Sequence, residues 1–547
     1  TRILYSSGRI VFIQLIILIG FMSLLGRLIY LQIYQDIFLD DQVFNRLDSQ
    51  YSLLAPRGKI LDRNGNVLAL DIKGYSVGVD LEKFKFEEKT ITFLSELLDK
   101  DPFSLSNILH GKSSGYKEIS RNINFEAKEK LKDKKIPGVY FRENLRRSYP
   151  ERNITSHVVG LTDIDRKGIQ GVELIFDNEL RGEEGSFEGI KGAKNTKLEG
   201  KRIEAVSGKN IILTIDINIQ SIAYHQLNEA IKENNAKAGS IVVIEPKTGD
   251  ILGLVNYPSF DPSNRKNLID MSKLRNRATI DIFEPGSVLK PLAMSAILES
   301  DYLPKSFIID TSPGWIEYEG FKTSDFKDYG TLSLSQIISL SSNVGMVKLC
   351  QYQDIEHLTN YYKKFGIGRY PTSIMLPARE GFLPHSSQFT LRDKVSSCYG
   401  YGMTLSALQI AQAYSVFANE GNFIELNLFK DHSFDEPLHE KVLQKETNDI
   451  VLDMLVETVN SSNGTASKAR LQEKIVAGKT GTAKESLEEE TTYSATFAGF
   501  VPHDEPEYLA VVVLNGLSGE DYSGGRVSAP VFSRLMQQIF MLQDLKI

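Results

Sequence analysis

The sequence predicts an α/β (α+β) fold, with an antiparallel sheet flanked by helices, an elongated β-rich region before it and one N-terminal membrane helix. Three observations carry that prediction. Residues Ile10 to Gly26 form one apolar run without a charge. Residues 36 to 205 are irregular and charge-rich, with apolar and polar positions alternating around turn signals. From Ile211 onward, short β-rich runs trade places with apolar segments of helical period, the mixture that packs helices against a sheet.

Size and composition set the bounds. A chain of 547 residues holds about two to four domains. Hydrophobic content of 41% and charged content of 24% are ordinary globular values. A net charge of -7 leaves no basic footprint, so nucleic acid is not an expected partner. Cys350 and Cys398 are the only cysteines. They form neither a disulfide framework nor a metal-ligand spacing, and whether they pair is left open. No metal or organic cofactor is expected.

The elements follow in order. The apolar run sits at the short end of a membrane span, in an anchor helix placed at residues 10–34. Arg2 and Arg9 precede it, which puts the tail 1–9 in the cytoplasm and the rest outside. No small-residue cleavage site follows, so the anchor is expected to stay. Leu28, Leu31 and Phe38 continue an apolar stripe past the membrane. The next domain is placed at 35–205. In it, Arg57-Gly58-Lys59-Ile60-Leu61-Asp62-Arg63-Asn64-Gly65 reads as strand and Asn-Gly turn, and Gly168 to Glu173 precedes a short helical pattern. No nucleophile with a base stands there, so it reads as a spacer or docking module.

The last domain is placed at 206–547. A helix with Ile219, Ile222, Ala223 and Leu227 on one face opens it. The runs Ser240–Glu245 and Asp250–Val255 form a hairpin around Pro246-Lys247-Thr248-Gly249, whose Lys-Thr-Gly is explained by turn chemistry. Then comes Phe283-Glu284-Pro285-Gly286-Ser287-Val288-Leu289-Lys290. Pro285-Gly286 turns the chain and an apolar helix runs on to Leu298, so Ser287 falls at the first helical residue. Free N–H groups at that end can stabilise an anion, and Lys290, three residues on, shares the serine's face. Ser114/Lys117 and Ser324/Lys327 repeat the spacing without that context and read as surface accidents.

Two Ser-x-Asn triplets follow. Ser341-Ser342-Asn343 breaks two apolar helical patterns, which puts it in an interior crevice. Ser461-Ser462-Asn463 lies in a polar string and reads as a solvated loop. Near the end, Lys479-Thr480-Gly481-Thr482 has a β-rich lead and small residues that permit close backbone approach. Strand patterns at Tyr493–Val501 and Tyr508–Leu514 make this second Lys-Thr-Gly part of a sheet.

The order Ser-x-x-Lys, Ser-x-Asn, Lys-Thr-Gly-Thr is the set of penicillin-binding proteins and serine β-lactamases. Residues 211–547 resemble the transpeptidase domain of class B penicillin-binding proteins. Arg57–Gly65, Arg147-Ser148-Tyr149-Pro150 and Gly168–Glu173 resemble that family's pedestal, or dimerisation-like, motifs. Within the family the chain is most similar to septal, cell-division transpeptidases, through Arg275-Asn276-Arg277-Ala278, Ser342-Asn343-Val344-Gly345, Gly400-Tyr401-Gly402 and Gly524 to Phe532. Elongation-type relatives more often carry Asp where Asn343 stands. Val288 replaces a common Thr, and Ala407 stands where a Pro is usual; neither touches a reacting atom.

The resemblance implies acyl transfer on the D-Ala-D-Ala end of a peptidoglycan stem peptide, with β-lactams acylating the same serine. A serine hydroxyl is a poor nucleophile until a base removes its proton. Lys290 can do so only when neutral, and burial with the charge of Lys479 pushes its pKa the required way. Ser341 suits a proton relay to the leaving amine, and Asn343 suits a hold on the substrate amide. Lys479, Thr480, Gly481 and Thr482 form the implied substrate-binding strand, and the backbone N–H groups of Ser287 and Thr482 the implied oxyanion hole. Implied partners are lipid-linked precursor strands, a SEDS-type glycan polymerase and divisome membrane proteins; the implied place is the inner membrane at the septum, with a periplasmic catalytic domain. The rival readings are an elongation-type transpeptidase, a D,D-carboxypeptidase or β-lactamase-type hydrolase, and a non-catalytic β-lactam sensor or scaffold.

Overall fold

The computed structural model describes residues 7–30, 48–110, 115–190, 199–264, 269–300, 304, 306–371, 375–430, 439–487, 490–519 and 521–545. Leu31, Phe38 and Ser114 lie outside them, as do the last four residues of the anchor read as 10–34. Contacts divide the chain into two compact units, Thr1–Pro56 with Gly182–Gly208, and Arg57–Arg181 with Lys209–Ile547. That division differs from the sequence boundary at 205/206: residues 57–181 pack with the catalytic segment.

In the first unit, the helix Ser7–Ile29 contains a stretch, Val11–Ile29, long and apolar enough to cross a membrane. Its described apolar side chains, such as Phe12, Ile17 and Leu24, face outward uncovered by protein. The strands Asp48–Leu53 and Glu199–Ile203 flank Gly185–Ile190 in an antiparallel sheet.

The second unit holds the sheet that organises the site. Its order is Ile251–Tyr257, Ala238–Ile244, Tyr508–Leu517, Glu490–Val501 and Ala477–Leu487, antiparallel throughout. Alternation along the strands supplies two cores, since successive side chains point to opposite faces. Ile241, Val243, Ala510 and Val512 face one layer with Leu227, Phe532 and Leu535 of the helices Ile217–Asn234 and Gly524–Asp544. Val242, Ile244, Val511 and Val513 face the other, with Leu408, Ala411 and Tyr414 of the wholly buried helix Ala407–Ala418. A central strand covered on both faces reads as a continuous apolar run, and Leu509–Leu514 is fully buried. The polar caps Asp216 and Ser406 start two of these helices by accepting backbone N–H bonds.

Residues 57–181 add a second sheet built on the long strand Val67–Asp80, which pairs with Tyr116–Ile123 and Val139–Ser148. The three upstream motifs meet here. Arg57 pairs with Glu173 at 2.7 Å and Asp177 at 2.8 Å, while Arg147 pairs with Glu173 at 2.5 Å and Asp71 at 3.3 Å. All five side chains are buried, and Arg166 adds a bond to Asp71 at 2.9 Å.

Candidate active site

The serine turn differs from the helix read off the sequence. Gly286–Leu289 is a 3₁₀ turn, and the α-helix starts at Lys290 and ends at Leu298. In 3₁₀ geometry residues three apart eclipse each other, so Ser287 and Lys290 are brought onto one side more closely than an α-turn would bring them. Pro291 sits in the first helical turn, where no backbone bond is lost.

Lys290 is fully buried, and its ammonium makes three hydrogen bonds, all to the Ser-x-Asn segment. It donates to Ser341 O at 2.5 Å, Ser341 Oγ at 3.1 Å and Asn343 Oδ1 at 2.7 Å. Burial is the main force holding its pKa well below the ordinary lysine value; the nearby charge of Lys479 adds to it, and Asp325 opposes it. Lys479 is also fully buried, and burial pulls its pKa down to about 7.

The Ser-x-Asn segment links the helices Leu334–Ser339 and Asn343–Cys350. Ser341 takes a φ of 60°, a left-handed conformation that costs a non-glycine residue about 1–3 kcal/mol and persists where neighbours enforce it. The enforcing neighbour is Asp325. Its carboxylate accepts from Ser342 Oγ at 2.6 Å, Asn343 N at 2.5 Å and Val344 N at 3.0 Å. Asn343 Nδ2 donates to Ser324 O at 3.1 Å, which fixes the amide with its oxygen toward Lys290.

The strand Ala477–Leu487 is the edge of the large sheet, so it has backbone groups free of strand pairing on its outer side. It closes directly on the serine turn. A Cβ at Gly481 would lie 2.8 Å from Pro285 O and 2.9 Å from Val288 Cγ1, so only glycine permits this approach. Thr480 Oγ1 bonds Thr465 Oγ1 at 3.3 Å, and Thr482 Oγ1 accepts from Gly524 N at 3.1 Å.

Ser287, Ser341, Asn343, Thr480, Gly481 and Thr482 line one cleft of about 670 Å³. Lys290, bonded to Ser341 and Asn343, and Lys479, next in sequence to Thr480, are fully buried behind that lining, so the three distant segments converge. The second Ser-x-Asn triplet does not supply this cleft; Ser462 and Asn463 are exposed. Ser324/Lys327 does not form a comparable pair, because Lys327 stacks on Tyr329. Sequence reasoning missed Asp325, which sits in a loop far from its partners with no local pattern. It also missed Tyr401, Thr465, Lys468, Tyr522 and Arg526 among the lining residues. Tyr522 stacks flat on Tyr493 with ring centres 3.7 Å apart.

A half-buried serine one turn before a buried lysine, lining one cleft with an amide and a glycine-bearing sheet edge, defines a class, the serine-dependent acyl-transfer enzymes. The sequence matches the penicillin binding protein transpeptidase domain over residues 239–537 and the penicillin-binding protein dimerisation domain over residues 52–213. The chain belongs to the penicillin-binding protein transpeptidase family. It is 33% identical over 561 residues to the peptidoglycan D,D-transpeptidase FtsI of Buchnera aphidicola subsp. Schizaphis graminum, covering 100% of this chain and 96% of that protein. It is 32% identical over 540 residues to the probable peptidoglycan D,D-transpeptidase PenA of Neisseria meningitidis serogroup A, covering 97% and 92%. The apo transpeptidase domain of Burkholderia pseudomallei penicillin-binding protein 3 superposes with a TM-score of 0.54 at 31% identity, covering 61% of this chain and 96% of that one.

Proposed function

We propose that this chain cross-links peptidoglycan stem peptides during septal wall synthesis, through an acyl-enzyme on Ser287. The observation that carries the reading is the buried setting of Lys290, whose three hydrogen bonds go to neutral atoms of Ser341 and Asn343. A lysine whose pKa is lowered by burial can be neutral and take the serine proton. Ser287 Oγ then attacks the carbonyl between the two D-Ala residues, and the N–H groups of Ser287 and Thr482 receive the developing oxyanion. Ser341, within 3.1 Å of Lys290, passes the proton to the departing D-Ala amine. Asn343 holds the peptide amide, and Lys479, Thr480 and Thr482 hold the terminal carboxylate beside Gly481. An amine of a neighbouring stem resolves the acyl-enzyme, and the β-lactam ring enters as a dipeptide mimic.

The apolar helix supports a single-pass anchor with the tail 1–9 inside and the catalytic domain outside the inner membrane. The Cys350–Cys398 disulfide supports an oxidising compartment for that domain. Residues 35–205 serve as the pedestal and 206–547 as the transpeptidase domain, and glycan polymerisation falls to a SEDS-type partner with divisome proteins. Three measurements test the reading. Ser287→Ala abolishes labelling by fluorescent penicillin while Ser324→Ala keeps it; surviving label in the first variant moves the nucleophile elsewhere. Stem peptide plus an amine acceptor gives cross-linked dimer; free D-Ala alone would make the chain a hydrolase. Side-wall rather than mid-cell location of the tagged protein would replace the septal role by elongation.

A further inference from the structure

The segment Cys398–Gly402 touches three pieces of the site at once. Cys398 forms a disulfide with Cys350, the last residue of the helix that begins at Asn343. Tyr399 OH bonds Thr323 Oγ1 at 3.2 Å, two residues before Asp325, the carboxylate that holds the Ser-x-Asn segment. Gly400 O accepts from Gly286 N at 3.0 Å, and Gly402 N donates to Glu284 Oε1 at 3.0 Å. The approach of Gly400 to the serine turn is as close as backbone allows: with φ at 95°, a Cβ there would lie 1.9 Å from Gly286 O. Tyr401 lines the cleft between them.

Both cysteines are fully buried. Beside the disulfide, Lys394 Nζ reaches Gln351 O at 3.4 Å, and buried Tyr362 OH donates to Ser397 O at 3.1 Å. Without the covalent bond, the far end of the Asn343–Cys350 helix and the serine-turn buttress would be joined by non-directional apolar packing in their common core and by single hydrogen bonds such as Lys394 to Gln351. Such bonds are worth about 1 kcal/mol each, too little to define a separation tightly.

We infer that Cys350–Cys398 is a positioning bond for acyl transfer, which fixes the distance between the Ser-x-Asn wall and the Ser287 turn by holding the Cys398–Gly402 segment against both. This rests on the reading of Ser287 as the acylated residue. The bond touches no reacting atom; it acts through Asn343 and Ser341 on one side and Gly286 on the other. Because Ser341 and Asn343 supply all three hydrogen bonds of Lys290, a loosened wall lets water reach that amine, which otherwise faces Lys479 and Asp325. Relief of burial raises the pKa of a lysine, so the acid limb of the acylation profile moves to higher pH.

The test compares the full chain in detergent as the disulfide and as the dithiol, produced under oxidising and reducing conditions. Readouts are the melting temperature and the second-order rate of acylation by penicillin across pH. The dithiol is expected to acylate about 10- to 100-fold more slowly, the scale of a small misplacement of reacting groups, with its acid limb shifted upward. A dithiol that melts lower but keeps the rate and the limb overturns the inference and leaves a stability bond only. Should the dithiol not stay folded, the C350A/C398V pair refills the volume without a bond, and unchanged rate and limb there overturn it equally. An oxidised parent that is not acylated at all would instead sink the reading of Ser287.

Discussion

Two groups of buried charges in the second unit are built on opposite rules. In residues 57–181, Arg57 and Arg147 share Glu173, and Asp71 and Asp177 complete the set, so every buried cation faces a carboxylate within 3.3 Å. Burial alone would lower the pKa of Arg57, but Glu173 and Asp177 outweigh it and the guanidinium ends above its ordinary value. Behind the cleft lining, Lys290 and Lys479 are buried just as fully, yet the hydrogen bonds of both amines go to neutral oxygens. Their pKa values fall accordingly. A paired buried charge holds a fold in one arrangement, whereas an unpaired one is poised to lose its proton, which is the property a general base needs.

The largest expected effect breaks the cleft side of this comparison. Lys290→Met should slow acylation by penicillin about 10²- to 10⁴-fold, the span of a general base, with no fall in melting temperature. Removing a buried ammonium that no carboxylate bonds directly offsets the three lost hydrogen bonds. A variant that melts far below the parent would show Lys290 to be a structural cation like Arg57.

Glu173→Ala should do the reverse. It removes the carboxylate that two buried guanidinium groups share, leaving Arg57 only Asp177 and Arg147 only Asp71; breaking a buried pair costs about 3–5 kcal/mol, read as a large drop in denaturation midpoint. Acylation per folded molecule should stay at the parent rate, measured by titrating the active fraction with a tight β-lactam. Loss of acylation with an unchanged midpoint would erase the distinction between the two groups.

A smaller effect separates them by pH. Lys479 has a folded pKa of about 7 against an unfolded value of about 10.4. Below about pH 7 the folded protein carries the full cost of the buried charge; from there to about pH 10 the unfolded chain holds a proton the folded one lacks, so this group's contribution improves as pH rises. Asp177 has the opposite sense, because its folded pKa is lowered: burial pushes it up, and bonds from Gly168 N and Arg57 more than reverse that. Its contribution is present above the unfolded carboxylate pKa and is lost as pH falls through the folded one. The stabilisation of Lys479→Met over the parent should therefore be greatest near pH 6 and shrink toward pH 10 in thermal melts. A difference independent of pH would mean Lys479 keeps its proton throughout.

The residues that meet at the cleft were legible because each sits in a local pattern: a turn before an apolar helix at Ser287, a polar break between apolar helices at Ser341, a small-residue strand at Lys479. The sheet was legible from its β-rich runs. Asp325 was not, since its value lies in three bonds to residues 17 to 19 positions away, and an acid in a loop carries no sign of them. The Cys350–Cys398 bond depends on a Cα separation of 6.5 Å set by the fold. The far wall of the cleft was hidden for another reason. Thr465 and Lys468 belong to a polar stretch that looks solvated, and only its packing against the edge strand and the Gly524–Asp544 helix makes it part of the site. The 3₁₀ turn at Ser287 likewise differs from an α-turn by hydrogen-bond register alone.

The smallest effect compares the two Lys-Thr-Gly copies, where identical side chains meet different surroundings. Around Lys247 the tripeptide closes the hairpin between Ala238–Ile244 and Ile251–Tyr257. Thr248 Oγ1 donates to Glu245 Oε2 at 2.9 Å, Gly249 N donates to Glu245 O at 2.9 Å, and Gly249 takes a φ of 77°. Turn geometry accounts for the threonine and the glycine, and it leaves the lysine exposed to solvent. An exposed lysine keeps its hydration and has no buried neighbour to influence, so Lys247→Ala should change stability by less than about 0.5 kcal/mol and leave penicillin labelling intact. Lys479→Ala should slow labelling strongly, because the same ammonium there lies beneath the cleft next to Lys290. Equal labelling by the two variants would mean that burial does not distinguish the copies, and the contrast between paired, unpaired and exposed cations would lose its third term.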